Sequence, residues 1–290
     1  MRIQELLEIG TSQLKNSKIE SPISIAKQIM CFVTGKDKIY LITNADTELG
    51  YEQEQSFMSA ISKVAQNIPL QYITNKQEFM KMEFYVDENV LIPRADTEIV
   101  VEEAIQIINE NNFANVLDMC TGSGAIAISI AKYSKKCNVV AVDISSKALE
   151  IAEKNAISNN VSNIAFIQSN MFENITGKYD LIISNPPYIK TKVIENLDEN
   201  VKKEPMLALD WGEDGLDFYR NIENNAYNYL NENGYLVLEI GFDQNEEVTE
   251  LLKKRYKDIV CKKDIGGNYR VIICKRRWYN VFFSRYKTGN

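Results

Sequence analysis

The sequence predicts an α/β chain: a doubly wound, mostly parallel sheet preceded by a small all-helical region. Three observations predict it. From Asn115 onward, short runs of β-formers alternate with helical stretches and short loops, the pattern of parallel strands joined by crossover helices. A Gly-x-Gly turn, Gly122 to Gly124, sits where the first of these strands meets its helix. The last two strands are separated by Gly266-Gly267-Asn268, a closing hairpin that forces one antiparallel strand into the sheet.

The elements follow in order. Ile3, Leu6, Leu7 and Leu14 share one helical face. Ser21 and Pro22 are an N-cap and first helical residue, followed by the stripe Ile25, Ala26, Ile29, Met30 and Val33, with Gly35 as the stop. Phe57, Ile61, Val64 and Ala65 form a third stripe before Pro69. Between Glu78 and Ile92 the period becomes two. Met80, Met82, Phe84 and Val86 alternate with Phe79, Lys81, Glu83 and Tyr85, a strand pair joining two domains. A helix over Asp96 to Asn109 leads into the alternating region.

Its strands are predicted at 115–120, 138–143, 164–168, 179–184, 235–241, 259–265 and 269–275. Helices are predicted at Ala125 to Tyr133, Lys147 to Asn155, Gly215 to Asn231 and Gln244 to Lys254. The expected domains are 1–75 (helical), 76–95 (hairpin linker), 96–276 (catalytic) and 277–290 (a basic, solvated tail).

Composition excludes several function classes. The 290 residues carry no histidine, and the five cysteines form no CxxC pair. This argues against a zinc site and a disulfide framework, and it rules out imidazole catalysis. The net charge of −7 weighs against broad nucleic-acid binding, which needs clustered positive charge. The most apolar stretch, Ala125 to Ala131, is far too short to cross a membrane. Glu5 and Glu8 stand where a secretory signal would be apolar, so a cytoplasmic chain is expected.

Two motifs carry chemistry. Gly122 and Gly124 let the backbone approach a ligand at the strand edge. Asp143 ends the next strand, where a carboxylate accepts both hydroxyls of a ribose; the alternative is a helix N-cap, with Ser145 or Ser146 as rivals. Asp118 precedes the turn and either orients the loop or meets a cationic group. An acid there disfavours pyrophosphate and favours a positively charged nucleoside, for which S-adenosylmethionine is the candidate.

The second motif is Asn185-Pro186-Pro187-Tyr188, directly after a run of β-formers. Prolines cannot continue a buried strand. They can hold two acceptors in one plane: the side-chain carbonyl of Asn185 and the backbone carbonyl of Pro186, stiffened by Pro187. Such a pair grips both hydrogens of a planar amino group, so that its lone pair faces an incoming methyl, while Tyr188 offers a flat face. With 29 asparagines in the chain, a lone Asn means little; the Asn-Pro-Pro-Tyr context gives this one its meaning.

On these residues the chain resembles the class I S-adenosylmethionine-dependent methyltransferases, and within them the release factor glutamine methyltransferases. The resemblance rests on IPRADTE (Ile92 to Glu98), DMCTGSGAIA (Asp118 to Ala127), NPPY, EPMLAL (Glu204 to Leu209), DGLDFYR (Asp214 to Arg220) and GNYR (Gly267 to Arg270). It implies a seven-stranded Rossmann-like sheet whose last strand is antiparallel. It implies that Cys120, Thr121, Gly122, Ser123, Gly124 and Asp143 bind the cofactor, that Asn170 and Met171 flank its adenine, and that Asn185 also lies against it. Asn185 and Pro186 would be catalytic, and Asn185 to Tyr188 would bind the substrate amide. That amide would be the glutamine of the GGQ loop in a peptide chain release factor, with S-adenosylhomocysteine as the second product and no metal.

The helical domain would help dock the factor, and a monomer without stable nucleic-acid binding or membrane association is expected. The alternatives are a nucleic-acid amino-methyltransferase with the same grip and a non-catalytic scaffold. Three positions depart from the family pattern: Cys120 replaces a glycine, Asn170 replaces the usual Asp, and Met206 stands where a basic residue is common.

Overall fold

The computed structural model describes residues 1–277; beyond Arg277 the basic tail lies outside the described residues. The chain divides into two compact units. One comprises Met1–Gln77, Val86–Ile92 and Leu197–Pro205; the other comprises Glu78–Tyr85, Pro93–Asn196 and the chain from Met206.

In the first unit α1 (Ile3–Asn16), α2 (Pro22–Thr34) and α4 (Tyr51–Ala65) carry the three expected stripes, and α3 (Lys38–Thr43) and α5 (Leu70–Thr74) join them. Ile3, Leu6, Leu14, Ile29, Met30, Phe57 and Ile61 form its core. Six- and five-residue helices are too short to show a stripe, so α3 and α5 leave no periodic signal. Ser21 stands at the N-cap of α2 by position only; its backbone is left-handed and its hydroxyl caps nothing. Gly10 is a contact residue, because a Cβ there would lie 2.9 Å from the Phe57 ring. Hydrogen bonds tie in the two later segments of the unit, and Asn75 Nδ2 donates to the Val86 carbonyl at 3.0 Å. The Tyr72 hydroxyl donates to the Val90 carbonyl (2.7 Å), and the Ile92 N–H donates to the buried Glu204 carboxylate (3.0 Å).

A short hairpin, β1 (Gln77–Phe79) and β2 (Met82–Phe84), follows. Met80 and Lys81 both have positive φ, 50° and 59°, as a two-residue hairpin turn with matching twist requires. The turn resets the alternation, so Phe79, Met82 and Phe84 are buried. Met80, expected on the Met82 side, sits in the turn instead.

The second unit continues with a 3-10 turn (Ala95–Thr97), α6 (Glu98–Asn111), β3 (Asn115–Met119), α7 (Ala125–Tyr133), β4 (Asn138–Asp143), α8 (Ser146–Ser158) and β5 (Ile164–Gln168). After these come β6 (Tyr179–Ser184), α9 (Thr191–Ile194), α10 (Asp217–Tyr229), β7 (Leu230–Glu239), α11 (Asn245–Leu252), β8 (Tyr256–Lys263) and β9 (Tyr269–Arg276). The seven-stranded sheet has the order β5-β4-β3-β6-β7-β9-β8. Its first five strands pair in parallel, and β9 is antiparallel to both neighbours.

Successive strand residues feed opposite layers. Val116, Leu181, Ile183 and Val237 join one core with α6 and α7. Leu117, Ile182, Leu236 and Leu238 join the other with α10 and α11. Helix α10 is shorter than expected because Gly215 (φ +70°) turns ahead of it. Strand β7 starts at Leu230 rather than at 235. Strand order reverses between β3 and β6. Such a switch point leaves a crevice outside the carboxyl ends of those strands, where ligands of open α/β sheets bind.

Candidate active site

The carboxyl ends of the five parallel strands lie on one edge, where Asp143 faces Gln168 and Met119 faces Ser184. Because β9 runs antiparallel, its start comes back to that edge, with Val271 opposite Glu239. Topology alone therefore gathers Asp118, Asp143, Asn185, Glu239 and Arg270.

The glycine loop follows β3. Gly122 has φ +54° and its Cβ direction faces open space; Gly124 has φ +81°, and a Cβ there would press on Ile128 and Ala152 at 2.8 and 3.0 Å. The first glycine keeps the backbone open to a ligand and the second lets α7 pack on α8. Asn155, fully buried in α8, holds the loop from behind: its Nδ2 donates to the carbonyls of Ser123 and Tyr85, both at 2.9 Å.

Asp143 spans the loop and its own strand end. One carboxylate oxygen accepts the Gly122 N–H and the other the Ser145 N–H, both at 2.9 Å. Ser145 is the N-cap of α8, its hydroxyl accepting from Ala148 N–H. This excludes the capping role for Asp143 and leaves each of its oxygens a further lone pair. Burial raises its pKa, against the pull of the backbone N–H groups.

Asp118 is fully buried. Its Oδ2 accepts from the Thr121 hydroxyl at 2.6 Å, and its Oδ1 has no hydrogen-bond partner among the described residues. Burial pushes it up to about 7, opposed by the Thr121 hydroxyl and the Ala127 N–H, and the nearby Asp143 pushes the same way as burial. A buried carboxylate oxygen without a partner fits a cationic ligand group. The glycine turn, Asp143 and Asp118 thus suit a nucleoside bearing positive charge. Asn170, exposed beyond β5, donates its Nδ2 to Glu173 at 2.9 Å; the half-buried Met171 beside it has a left-handed backbone, φ 51°.

Asn185 follows β6. Its Nδ2 donates to the Thr97 hydroxyl oxygen at 3.1 Å, which turns its side-chain carbonyl away from Thr97. Pro186 and Pro187 are buried. The Tyr188 hydroxyl donates to Glu239 Oε1 at 3.2 Å, and Arg270 Nη1 approaches that hydroxyl at 3.5 Å. The Tyr188 carbonyl accepts from Gln244 Nε2 at 3.1 Å, and Gln244 also bonds Gly215 and Gly241. Gly215 must be glycine, because a Cβ would meet the Tyr188 carbonyl at 2.5 Å. Three separate sequence segments, around Thr97, Glu239 to Gln244 and Arg270, therefore bond the Asn-Pro-Pro-Tyr loop, and Gly215 packs against it.

Comparison with known proteins gives the family of the chain. Residues 5–74 match the PrmC N-terminal domain and residues 99–204 the methyltransferase small domain. The chain is 38% identical to a release factor glutamine methyltransferase of Clostridium acetobutylicum, covering 95% of this chain and 99% of that protein. It is 40% identical to one of Fusobacterium nucleatum, covering 94% and 78%. The chain belongs to the release factor glutamine methyltransferase family. A ribosomal protein L11 methylase from Lactobacillus delbrueckii subsp. bulgaricus shares the fold, with a TM-score of 0.50 at 20% identity over 70% of this chain and 90% of that one.

In the glycine loop, Cys120 stands where the resemblance led one to expect glycine. Cys120 takes φ 60°, the left-handed backbone that glycine would adopt without strain. Burial pushes its thiol well up, helped by the charges of Asp143 and Asp118, so it is a neutral thiol and no nucleophile. Met206 is half exposed in a single 3-10 turn (Met206–Ala208).

Sequence reading missed Thr97, Asn155, Glu239 and Gln244. Thr97 lay inside the IPRADTE stretch without a role of its own, and Glu239 closes the apolar run Tyr235 to Leu238; Asn155 and Gln244 left no signal.

Proposed function

We propose that this protein transfers a methyl group from S-adenosylmethionine to the side-chain amide nitrogen of a glutamine in a peptide chain release factor, the glutamine of its GGQ loop. The relatives that match it over nearly their whole length carry that substrate in their names. The observation that carries the reading is the Asn185 amide. Thr97 takes its N–H, so its carbonyl is presented beside the glycine loop at the switch point of the sheet.

S-Adenosylmethionine supplies a sulfonium-activated methyl group. The chain's own residues do the rest. Asp143 offers two carboxylate oxygens for the ribose hydroxyls, Asp118 Oδ1 meets a cationic group, and the Cys120 to Gly124 backbone lets the ligand lie close. Asn170 and Met171 border the adenine. A glutamine side-chain nitrogen is a poor nucleophile, because its lone pair is delocalised into the carbonyl. The Asn185 carbonyl and the Pro186 backbone carbonyl accept its two hydrogens and turn that lone pair out of plane, a placement effect that needs no base during attack. The extra proton leaves to solvent afterwards, which suits a chain without histidine. Tyr188, its phenol pushed up by burial and by Glu239, stays neutral and lies against the flat amide. Among the described residues no helix is long and apolar enough to cross a membrane, in keeping with an enzyme of the cytoplasm, where release factors act; one chain carries every group named, so a monomer suffices.

The test offers methyl-labelled cofactor with either a release factor or duplex DNA. Label is expected on the release factor alone, at the glutamine. Asn185→Ala should lower that transfer by about 10²- to 10³-fold, the scale for a lost oxygen-stabilising contact, with cofactor affinity within a few-fold. Label on the DNA would replace the protein substrate with a nucleobase.

A further inference from the structure

The loop after β3 owes its freedom to Gly122 and Gly124, at φ +54° and +81°. Ser123 stands between them, and glycine on either side lets its peptide planes rotate widely. Their direction must come from hydrogen bonds. The Gly122 N–H goes to Asp143 at 2.9 Å and the Gly124 N–H to the Thr121 carbonyl at 2.8 Å. The Ser123 carbonyl goes to Asn155.

Asn155 is fully buried on α8. A primary amide has two hydrogens to give and an oxygen to accept with, and here all are engaged. Nδ2 donates to the Ser123 and Tyr85 carbonyls, each at 2.9 Å, and Oδ1 accepts the Tyr85 N–H at 2.7 Å. Tyr85 directly follows β2. Two more α8 residues fasten the same strand end. Asn159 Nδ2 donates to the Glu83 carbonyl at 3.0 Å, and the Lys154 ammonium lies 3.1 Å from the centre of the Tyr85 ring. The paired bonds to Tyr85 fix both the rotation of the Asn155 amide and which end carries the oxygen. Its second hydrogen is then committed to Ser123. Aspartate has no hydrogen to give there, and leucine has neither donor nor acceptor.

We infer that Asn155 is a positioning residue for S-adenosylmethionine binding: seated on the Tyr85 backbone, it fixes the Ser123 peptide of the glycine loop and so makes the strand end before Val86 part of the cofactor site. It acts through the loop and does not itself meet the ligand. The inference rests on the cofactor reading proposed above and adds to it the residue that sets the shape of the loop.

The experiment titrates S-adenosylmethionine calorimetrically into folded protein, well below the melting temperature. Asn155→Leu keeps the size and removes all three bonds; affinity should fall roughly tenfold or more, the scale of a buried carbonyl left without its donor. Asn163→Leu is the control. Asn163 Nδ2 likewise joins two backbone carbonyls, those of Ala131 and Cys137 at 3.1 and 2.8 Å, but at the amino end of β5, away from the loop. It should lower the melting temperature and leave affinity within about twofold. Parent-like affinity in Asn155→Leu, or equal losses in the two variants, overturns the inference, because a general loss of stability would move both.

Hydrogen exchange of the unsubstituted protein is the second measurement, and it decides the matter if Asn155→Leu does not fold. A ligand that settles the loop also settles the Asn155 amide on Tyr85, by reciprocity of coupling. S-Adenosylmethionine should therefore slow exchange of the Tyr85 N–H several-fold more than that of the Met80 N–H, which lies on the same hairpin and is held by Glu98 at 2.7 Å instead. Equal slowing of the two amides overturns the inference. A parent protein that binds no S-adenosylmethionine would instead overturn the cofactor reading itself, so the two failures are distinguishable.

Discussion

Asp118 and Glu239 are the same chemical group in nearly the same setting. Each sits at the carboxyl end of a parallel strand, β3 and β7, and each is at most 2% exposed. Each has a threonine hydroxyl beside it, Thr121 or Thr97, and each leaves one oxygen without a partner at hydrogen-bond distance. Burial lifts both to about 7. What differs is the charge nearby. Glu239 has the Arg270 guanidinium, itself anchored on Asp264. Asp118 has Asp143, another carboxylate, and no ion pair among the described residues. The chain sets a cation near one acid and none near the other, which the proposed function leaves to a ligand. Burial with an internal cation makes a brace; burial without one makes a binding group.

The largest expected effect falls on the ligand end. Asp143→Ala removes both proposed ribose acceptors and unties Gly122, and should weaken S-adenosylmethionine binding by about 100-fold or more, since hydrogen bonds to charged groups contribute about 1.5–3 kcal/mol each. Calorimetric titration checks it, and an unchanged isotherm would end the ribose assignment.

A smaller effect sharpens the comparison through pH. In the ligand-free protein Asp118 titrates near 7 rather than at its ordinary 3.8. A cationic ligand favours the carboxylate, so binding must expel a proton below about pH 7. Affinity should therefore rise with pH up to about 7, by as much as tenfold per unit, and level off above. Asp118→Asn should bind roughly tenfold more weakly and lose that slope. A slope that survives the substitution would place the proton elsewhere. The same raised pKa makes Asp118 favour the folded, ligand-free state at low pH, a contribution lost as pH rises from about 4 through about 7.

The smallest effect concerns the loop between the two acids. Cys120→Gly relieves a left-handed backbone strain of about 1–2 kcal/mol and loosens the unfolded chain by about 0.4–1 kcal/mol. Thermal melting should show no change to about 1 kcal/mol of stabilisation, with cofactor affinity unaltered. A lower melting temperature would mean that the thiol's packing outweighs the strain.

The fold was legible where its signal is periodic or local. The stripes of α1, α2 and α4 and the β/α alternation from Asn115 gave the layers, and the Gly266-Gly267-Asn268 turn gave the antiparallel β9. Less was legible where two residues interrupt a pattern. Met80 and Lys81 invert the alternation of the hairpin, and no turn-forming residue marks them. At the candidate site, Asn185 and Asp143 were visible because prolines or a glycine turn lie next to them or one crossover away. Thr97, Asn155, Glu239 and Gln244 were not, because an ordinary residue becomes a brace only through what lies opposite it. Thr97 is 88 residues from Asn185 along the chain, and they meet at 3.1 Å.

The sequence by itself determined the layer architecture, the glycine turn and the Asn-Pro-Pro-Tyr loop, because backbone restrictions and hydrophobic period act between neighbours in the chain. Tertiary structure alone decided which buried acid received a cation, which end of the Asn185 amide faces outward, and that Asp143 is no helix cap. Those are matters of charge and hydrogen-bond direction across the edge of a sheet, and they exist only once distant strands are side by side.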